Sequence, residues 1–438
     1  MVKNIYKKFF VVVLFLLTAY NSNVYSQDLD KTNKDDPFVD RFDKRLDILQ
    51  IEEDKNKEAI RHLLEELQDL NGPNDNPKKE NYTNPIELNI ANTKLTIGGF
   101  VQSDFIYDFN VSSMGGSFIP SSIPIKSLLD PKLTFSYLQS RFTLTSQSNT
   151  SIGILKTLFE YDLFSDGMSP GFHVRHAWGE LGSFGVGQYW SAFMDIDVFP
   201  NILDYQGPNA MVFVRQVQLR YTHKIGKNFK IALSIEKPYS GVQQAAEYQN
   251  KSLVPDFALH LRYAGTRGHM QLAGILHSVR YQNNSTKINS TGWGLNLTGL
   301  YNIGTELNDS IMFQATYGNG IARYFNDISG LNYDGFINKP NDKIELDLLP
   351  VWSIMAFYNH SWSSKFSSAL GWGYLNLENN KLQMDNAFNN SHYGVANIIY
   401  YPIDPIKVGL EYLYGMLMDK HKDSSTNNRL QLSIMYKF

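Results

Sequence analysis

The stretch Arg429-Leu-Gln-Leu-Ser-Ile-Met-Tyr-Lys-Phe438 decides the fold. Leu430, Leu432, Ile434, Tyr436 and Phe438 alternate with Arg429, Gln431, Ser433, Met435 and Lys437. A period of two is a β-strand with one apolar and one mainly polar face. One face can touch lipid and the other water, as in a transmembrane β-barrel. A C-terminal strand ending in an aromatic also resembles the signal read by outer-membrane assembly machinery.

Working outward from the C-terminus, the same alternation recurs. Ile406, Val408, Leu410, Tyr412 and Tyr414 alternate with Lys407, Gly409, Glu411, Leu413 and Gly415. Val217, Leu219 and Tyr221 alternate with Gln216, Gln218, Arg220 and Thr222; Leu138, Phe142 and Leu144 alternate with Gln139, Arg141 and Thr143. Long connections are expected near 111–135, 165–172, 191–212, 240–255, 281–290, 321–343, 379–388 and 417–427. Short ones are expected near 149–153, 182–184, 224–228, 264–268, 304–308, 361–364 and 402–405. This implies a 16-stranded antiparallel β-barrel over 93–438, all-β and transmembrane. Barrels of that size are wide enough to leave an aqueous channel.

The N-terminal side differs. Lys3, Lys7 and Lys8 precede the apolar run Phe9 to Leu17, and Val24-Tyr25-Ser26 has cleavage-site spacing, so 1–26 reads as a signal peptide. The apolar run is shorter than the roughly 20 residues of a membrane helix. Residues 27–71 read as a periplasmic coiled-coil stalk. Within it Val39, Phe42, Leu46, Leu49, Glu53, Asn56, Ile60, Leu63, Leu67 and Leu70 step by three and four. One helix alone cannot bury such a narrow seam, so the α-helical extension should self-associate. Residues 72–92, with Pro73, Pro77 and Pro85 and no period, read as a linker.

Composition agrees with a barrel. There are 26 Tyr, 27 Phe and 6 Trp, and no Cys, so disulfide, lipoprotein and thiolate chemistry are excluded. The net charge is −3, which gives no reason to expect nucleic acid. The ten histidines contain no H-x-x-x-H pair, Gly-x-Ser-x-Gly is absent, and no nucleophile, base and orienter assemble from spacing. No catalysis, metal or cofactor is expected. His173 and His176 should point to opposite faces.

Alternation places Arg141, Lys156, Glu160, Asp162, Arg220, Arg262, Lys407, Glu411 and Arg429 inside, with Gln139 and Gln218 beside them. Arg175 joins them, on the face opposite Trp178. Charges of both signs are what a transverse field in a constriction requires. The segment Ser191-Ala-Phe-Met-Asp-Ile-Asp-Val-Phe-Pro200 continues to Val212 and is too apolar for a solvated loop. Folding into the lumen, or packing on a neighbouring subunit, would bury it; Phe193, Asp195, Asp197 and Phe199 are then candidate constriction residues. Asp195 and Asp197 could coordinate calcium, but two carboxylates do not define a site.

The run RHAWGELGSFGVGQYWSAFMDIDVFPNILDYQGPN, Arg175 to Asn209, resembles the signature of DcaP-like trimeric porins. SYLQSRFTLTS at 136–146, VRQVQLRYT at 214–222 and TIGGFVQSDFIYDFN at 96–110 resemble its neighbouring motifs. The resemblance implies a homotrimeric outer-membrane porin with a periplasmic N-terminal coiled coil. It also implies passive uptake of small anions such as dicarboxylates, past an arginine-lined eyelet to which Arg141, Arg220 and Arg175 correspond. A phosphate-type specific porin, an embedded enzyme and a structural or adhesive barrel are the competing readings. The expected location is the Gram-negative outer membrane, and the expected partners are lipid, the assembly machinery and two further copies of the chain.

Overall fold

In the computed structural model, residues 85–110, 116–125, 130–164, 170–304, 308–338 and 344–438 are described. The expected signal peptide, stalk and first part of the linker lie outside them.

The wall consists of sixteen antiparallel strands. They are β1 (Thr93–Asp108), β2 (Arg141–Thr150), β3 (Gly153–Phe164), β4 (Pro170–Leu181), β5 (Phe184–Trp190), β6 (Arg215–Ile225), β7 (Phe229–Glu236) and β8 (Asp256–Gly265). The ring continues through β9 (Gly268–Gln282), β10 (Lys287–Ile303), β11 (Asp309–Asn319), β12 (Pro350–Ser363), β13 (Phe366–Leu377), β14 (Phe388–Tyr400), β15 (Ile406–Asp419) and β16 (Ser424–Lys437). Each pairs with its sequence neighbours, and β1 pairs with β16 from Phe100↔Lys437 to Asp108↔Arg429. The ring is therefore closed, as lipid requires of a sheet that has no other way to satisfy its edges.

Alternation sorts the two faces. Leu430, Leu432 and Tyr436 are exposed on the outside, whereas Arg429, Gln431 and Ser433 are buried inside. Val101, Phe105 and Tyr107 on β1 continue the outer apolar surface, and Gln102, Asp104 and Asp108 the inner polar one.

The structure corrects several expectations. Ile86–Ile90, placed in the period-less linker, is a strand that forms a hairpin with Thr93–Ile97. Its Ile86, Leu88 and Ile90 do alternate with Glu87 and Asn89, but over five residues only. The strand expected through Leu138 is interrupted: Lys132–Ser136 and β2 both pair with β1, and a turn at 137–140 separates them. Leu138 sits in that turn and is buried, not lipid-facing. The connections expected to be long at 281–290 and 417–427 are four-residue turns, 283–286 and 420–423, because the flanking strands run further than their apolar periodicity.

The lumen is narrowed by chain that folds into it. Segment 191–212 folds inward, and so do parts of two other long connections, 116–125 and 320–349. Phe193, Met194, Val198, Met211 and Val212 pack there with Phe118, Ile123, Ile321, Tyr324, Phe325 and Ile328 in one buried cluster. The segments interlock through backbone bonds from Phe213 N to Tyr324 O and Asn326 N to Met211 O, at 3.0 and 2.9 Å. Sequence reading left two ways to bury the first of these segments, inside the lumen or on a neighbouring subunit, and missed the other two.

Candidate functional site: an arginine wall facing an inward loop

The loop at 191–212 is fastened to the inner wall along its length. At its start, the Glu236 carboxylate accepts hydrogen bonds from Ser191 Oγ at 2.8 Å and from Ala192 N at 3.0 Å. Asp195 accepts from Arg262 at 3.2 Å and Thr298 at 2.7 Å, and lies 2.8 Å from His269 Nε2. Asp197 also takes a hydrogen bond from Arg262. At the tip, Leu203 N and Asp204 N donate to Glu411 at 2.7 and 2.8 Å. Near the exit, Asn209 donates to the Ser391 carbonyl at 3.0 Å. Phe193 is fully buried against Tyr324, and Phe199 lies over Gly207, whose φ of +80° and lack of a Cβ admit the ring.

These bonds assign roles. Asp195, Asp197 and His269 converge closely enough for a metal ion, but Arg262 already bonds both carboxylates. The guanidinium supplies the positive charge a cation would bring, so this trio is a loop anchor. Burial opposes ionisation of Asp195, yet the His269 hydrogen bond and the Arg262 charge outweigh it and hold its pKa below the usual carboxylate range. Asp204 differs: burial pushes it up to about 6 despite Arg429 and bonds from the Gly207, Phe118 and Gln206 amides. Asp327, which accepts from Ser391 Oγ and Ser121 N, is likewise pushed up to about 6 by burial.

On the wall the decisive local feature is a β-bulge. Glu160 pairs with His176 but Tyr161 pairs with Val174, so Arg175 is an extra residue in β4. The extra residue shifts the parity of everything beyond it. His173 and His176 therefore both turn inward, His176 buried and His173 partly exposed, contrary to the expected opposite faces, and Arg175 and Trp178 also share one face. Arg175 donates to Glu160 at 2.8 Å and to Asp162 at 2.9 Å. Asp162 also accepts from Tyr205 of the loop at 2.7 Å and lies 2.8 Å from His173 Nδ1.

Around this buried pair the cations are less well matched. Arg141 approaches Glu160 only to 3.7 Å and lies over the Phe100 ring. Arg215 lies 5.2 Å from the Trp190 ring centroid, with Arg175 at 5.9 Å from the same ring. The buried Nη1 of Arg215 has no hydrogen-bond partner among the described residues. Among the described residues Arg220 hydrogen-bonds only neutral acceptors, Gln218 Oε1 at 3.0 Å and the Trp190 carbonyl, with the Glu236 charge farther off. It lies 5.8 Å from both the Trp178 and Tyr189 ring centroids, which stack on each other. Gly185 allows that arrangement, since a Cβ there would come within 2.1 Å of Trp178. Lys156 lines a recess of about 410 Å³ with Trp178 and Tyr189.

Of the expected pore-lining residues, Arg141, Arg175, Arg220, Lys156, Glu160, Asp162 and Gln218 thus gather on the wall of β2 to β6. Gln139 instead bonds Asp104 and the Leu203 carbonyl at the loop tip, and Arg262 is committed to the loop start. Arg215 was missed because its parity matches Val217 and Leu219. It is the first residue of its strand, where alternation has not yet set in.

The sequence profile of the DcaP outer membrane protein family matches residues 47–438. The chain belongs to that family. Among solved structures, it is similar to the outer membrane channel DcaP of Acinetobacter baumannii, at 19% identity and a TM-score of 0.71, over 80% of this chain and 99% of that one. An anion-selective porin from Comamonas acidovorans aligns at 10% identity and a TM-score of 0.54, over 79% of this chain and 100% of that one. OmpT of Vibrio cholerae, folded in vitro, aligns at 13% identity and a TM-score of 0.51, over 80% and 99%. At these identities the likeness establishes the barrel fold. No curated protein matches the chain. Family and fold together make this DcaP-family chain an outer-membrane β-barrel protein.

Proposed function

We propose that this chain is a passive diffusion channel, not an enzyme, that favours small anions such as dicarboxylates. The supporting observation is the charge balance on the wall of β2 to β6. Arg141, Arg175 and Arg215 surround two carboxylates, Glu160 and Asp162, and Arg220 has only neutral hydrogen-bond acceptors. Guanidinium groups stay charged at any working pH and bind carboxylates through paired donors, so an unmatched one attracts anions strongly in a partly dry passage. The loop at 191–212, held rigidly opposite, narrows the passage. Reversal potentials across a potassium chloride gradient in planar bilayers test the reading: chloride should be the more permeant ion, and a cation preference would end it.

The working unit is proposed to be a homotrimer, joined through its outer apolar surface and the heptad segment 38–70. Native mass spectrometry of detergent-extracted protein should give three chains; a monomer at every concentration would refute this.

A further inference from the structure

We infer a second binding site, for a short uncharged saccharide, in the vestibule at the long-connection end of the barrel. A cavity of about 680 Å³ lies between the connections 237–255, 320–349 and 378–387. That is within the range of small-molecule sites, roughly 300–1,000 Å³. Its lining contains no charged side chain, in contrast to the arginine wall. An anion has no counter-charge there, and a cation no carboxylate.

What the cavity offers is aromatic surface and amides. Tyr248, Tyr333 and Phe336 are buried on its floor, and the buried Tyr248 hydroxyl has no hydrogen-bond partner among the described residues. An unpartnered buried hydroxyl costs about 1–3 kcal/mol unless something completes it. At the rim stand the exposed amides Gln244, Asn332 and Asn386.

The backbone adds an independent observation. Gln244 and Asn332 both have left-handed φ angles, +58° and +60°. Among the described residues only four that are not glycine do so. Two of the four line the same cavity. Strain of this kind costs about 1–3 kcal/mol per residue and concentrates where a ligand is held.

Sugars match this combination. Their C–H faces pack on aromatic rings, and each hydroxyl both donates and accepts, as an amide does. The site lies apart from the arginine wall and takes an uncharged ligand, so it stands or falls separately from the anion channel.

The test is saturation-transfer NMR on the whole protein in detergent, with maltose, cellobiose and N,N′-diacetylchitobiose as probes. At least one should bind with a dissociation constant on the order of 1 mM, and excess succinate should leave it bound. Gln244→Ala/Asn332→Ala/Asn386→Ala should weaken it at least tenfold, and Tyr248→Phe severalfold. Both variants should keep the heat-modifiable electrophoretic mobility of the folded barrel, since the rim amides are exposed. Absence of transfer to all three disaccharides would overturn the inference. So would unchanged affinity in the folded triple variant, or displacement by succinate, which would assign the signal to the anion path.

Discussion

Replacing Arg141 and Arg220 together with Ala should invert the ion preference of the channel. In the arginine site five cations, Arg141, Arg175, Arg215, Arg220 and Lys156, stand against four carboxylates, Glu160, Asp162 and Glu180 on β3 and β4 and Glu236 on the neighbouring β7. The double variant leaves three against four. A monovalent ion passing about 6 Å from a guanidinium, in an effective dielectric of about 40, feels about 1.4 kcal/mol from it. A Debye length of about 8 Å at physiological salt reduces that to roughly 0.65 kcal/mol, a factor of about three per arginine. Each arginine favours chloride and disfavours potassium by that factor, so the two together should lower the chloride-to-potassium permeability ratio roughly eightyfold at physiological salt, and more in dilute salt. Both residues can be removed without orphaning a carboxylate: Glu160 keeps Arg175, and among the described residues Arg220 has no carboxylate within hydrogen-bonding distance. The assay is the reversal potential of single channels in a salt gradient, with succinate entry in liposome swelling as a second measure. An unchanged reversal potential with unchanged succinate flux would refute the charge argument.

Deleting Phe438 should impair assembly into the outer membrane, because its amide and carbonyl each bond Gly99 at 3.0 Å where the ring closes; surface yields equal to wild type would contradict this. Gly185→Ala should destabilise by about 1–3 kcal/mol through overpacking and tilt Trp178 out from under Arg220, which tryptophan fluorescence and a weaker anion preference would report together. Asp204 and Asp327, pushed up to about 6 from an ordinary 3.8 by burial, hold protons in the folded protein that the unfolded chain has already lost. Their contribution is fully present below about pH 4 and is lost as pH rises through about 6. Each shift amounts to about 3 kcal/mol. The thermal midpoint of the inward segments, followed by near-UV circular dichroism, should therefore fall between pH 4 and 7, and Asp204→Asn should flatten part of that slope.

Much of the wall was legible because a barrel between lipid and water obeys one rule, and Leu430 to Phe438 state it without interruption. The need to bury 191–212 was legible from Phe193, Met194 and Ile202, but sequence alone did not choose between the lumen and a neighbouring subunit. The same reasoning applied to Phe118, Ile123, Tyr324, Phe325 and Ile328 would have found the other two inward segments, but their apolar residues are spread thinly among Gly, Ser and Asn. Parity arguments failed where the chain departs from parity. One extra residue at Arg175 and one turn at 137–140 leave no compositional mark, yet they decide where His173, Trp178 and Leu138 point. The candidate site sits beside the bulge, so the residues that mattered most were those alternation handled worst. The rim amides Gln244 and Asn332 carried no sequence signal, since their backbone conformation is imposed by the connections around them.

The apolar cluster inside the ring has a consequence for how the molecule is made. Its wall has greasy residues on both surfaces, but the two answer to different solvents. The outer ones are satisfied by hydrocarbon at the moment of insertion, while the inner ones are driven together only by water. Phe193, Met211 and Phe325 must therefore travel across the bilayer in a wet compartment and condense there afterwards, with the closing wall as their mould. The narrowing of the passage thus depends on a different driving force from the wall that surrounds it, and conditions that weaken one need not weaken the other.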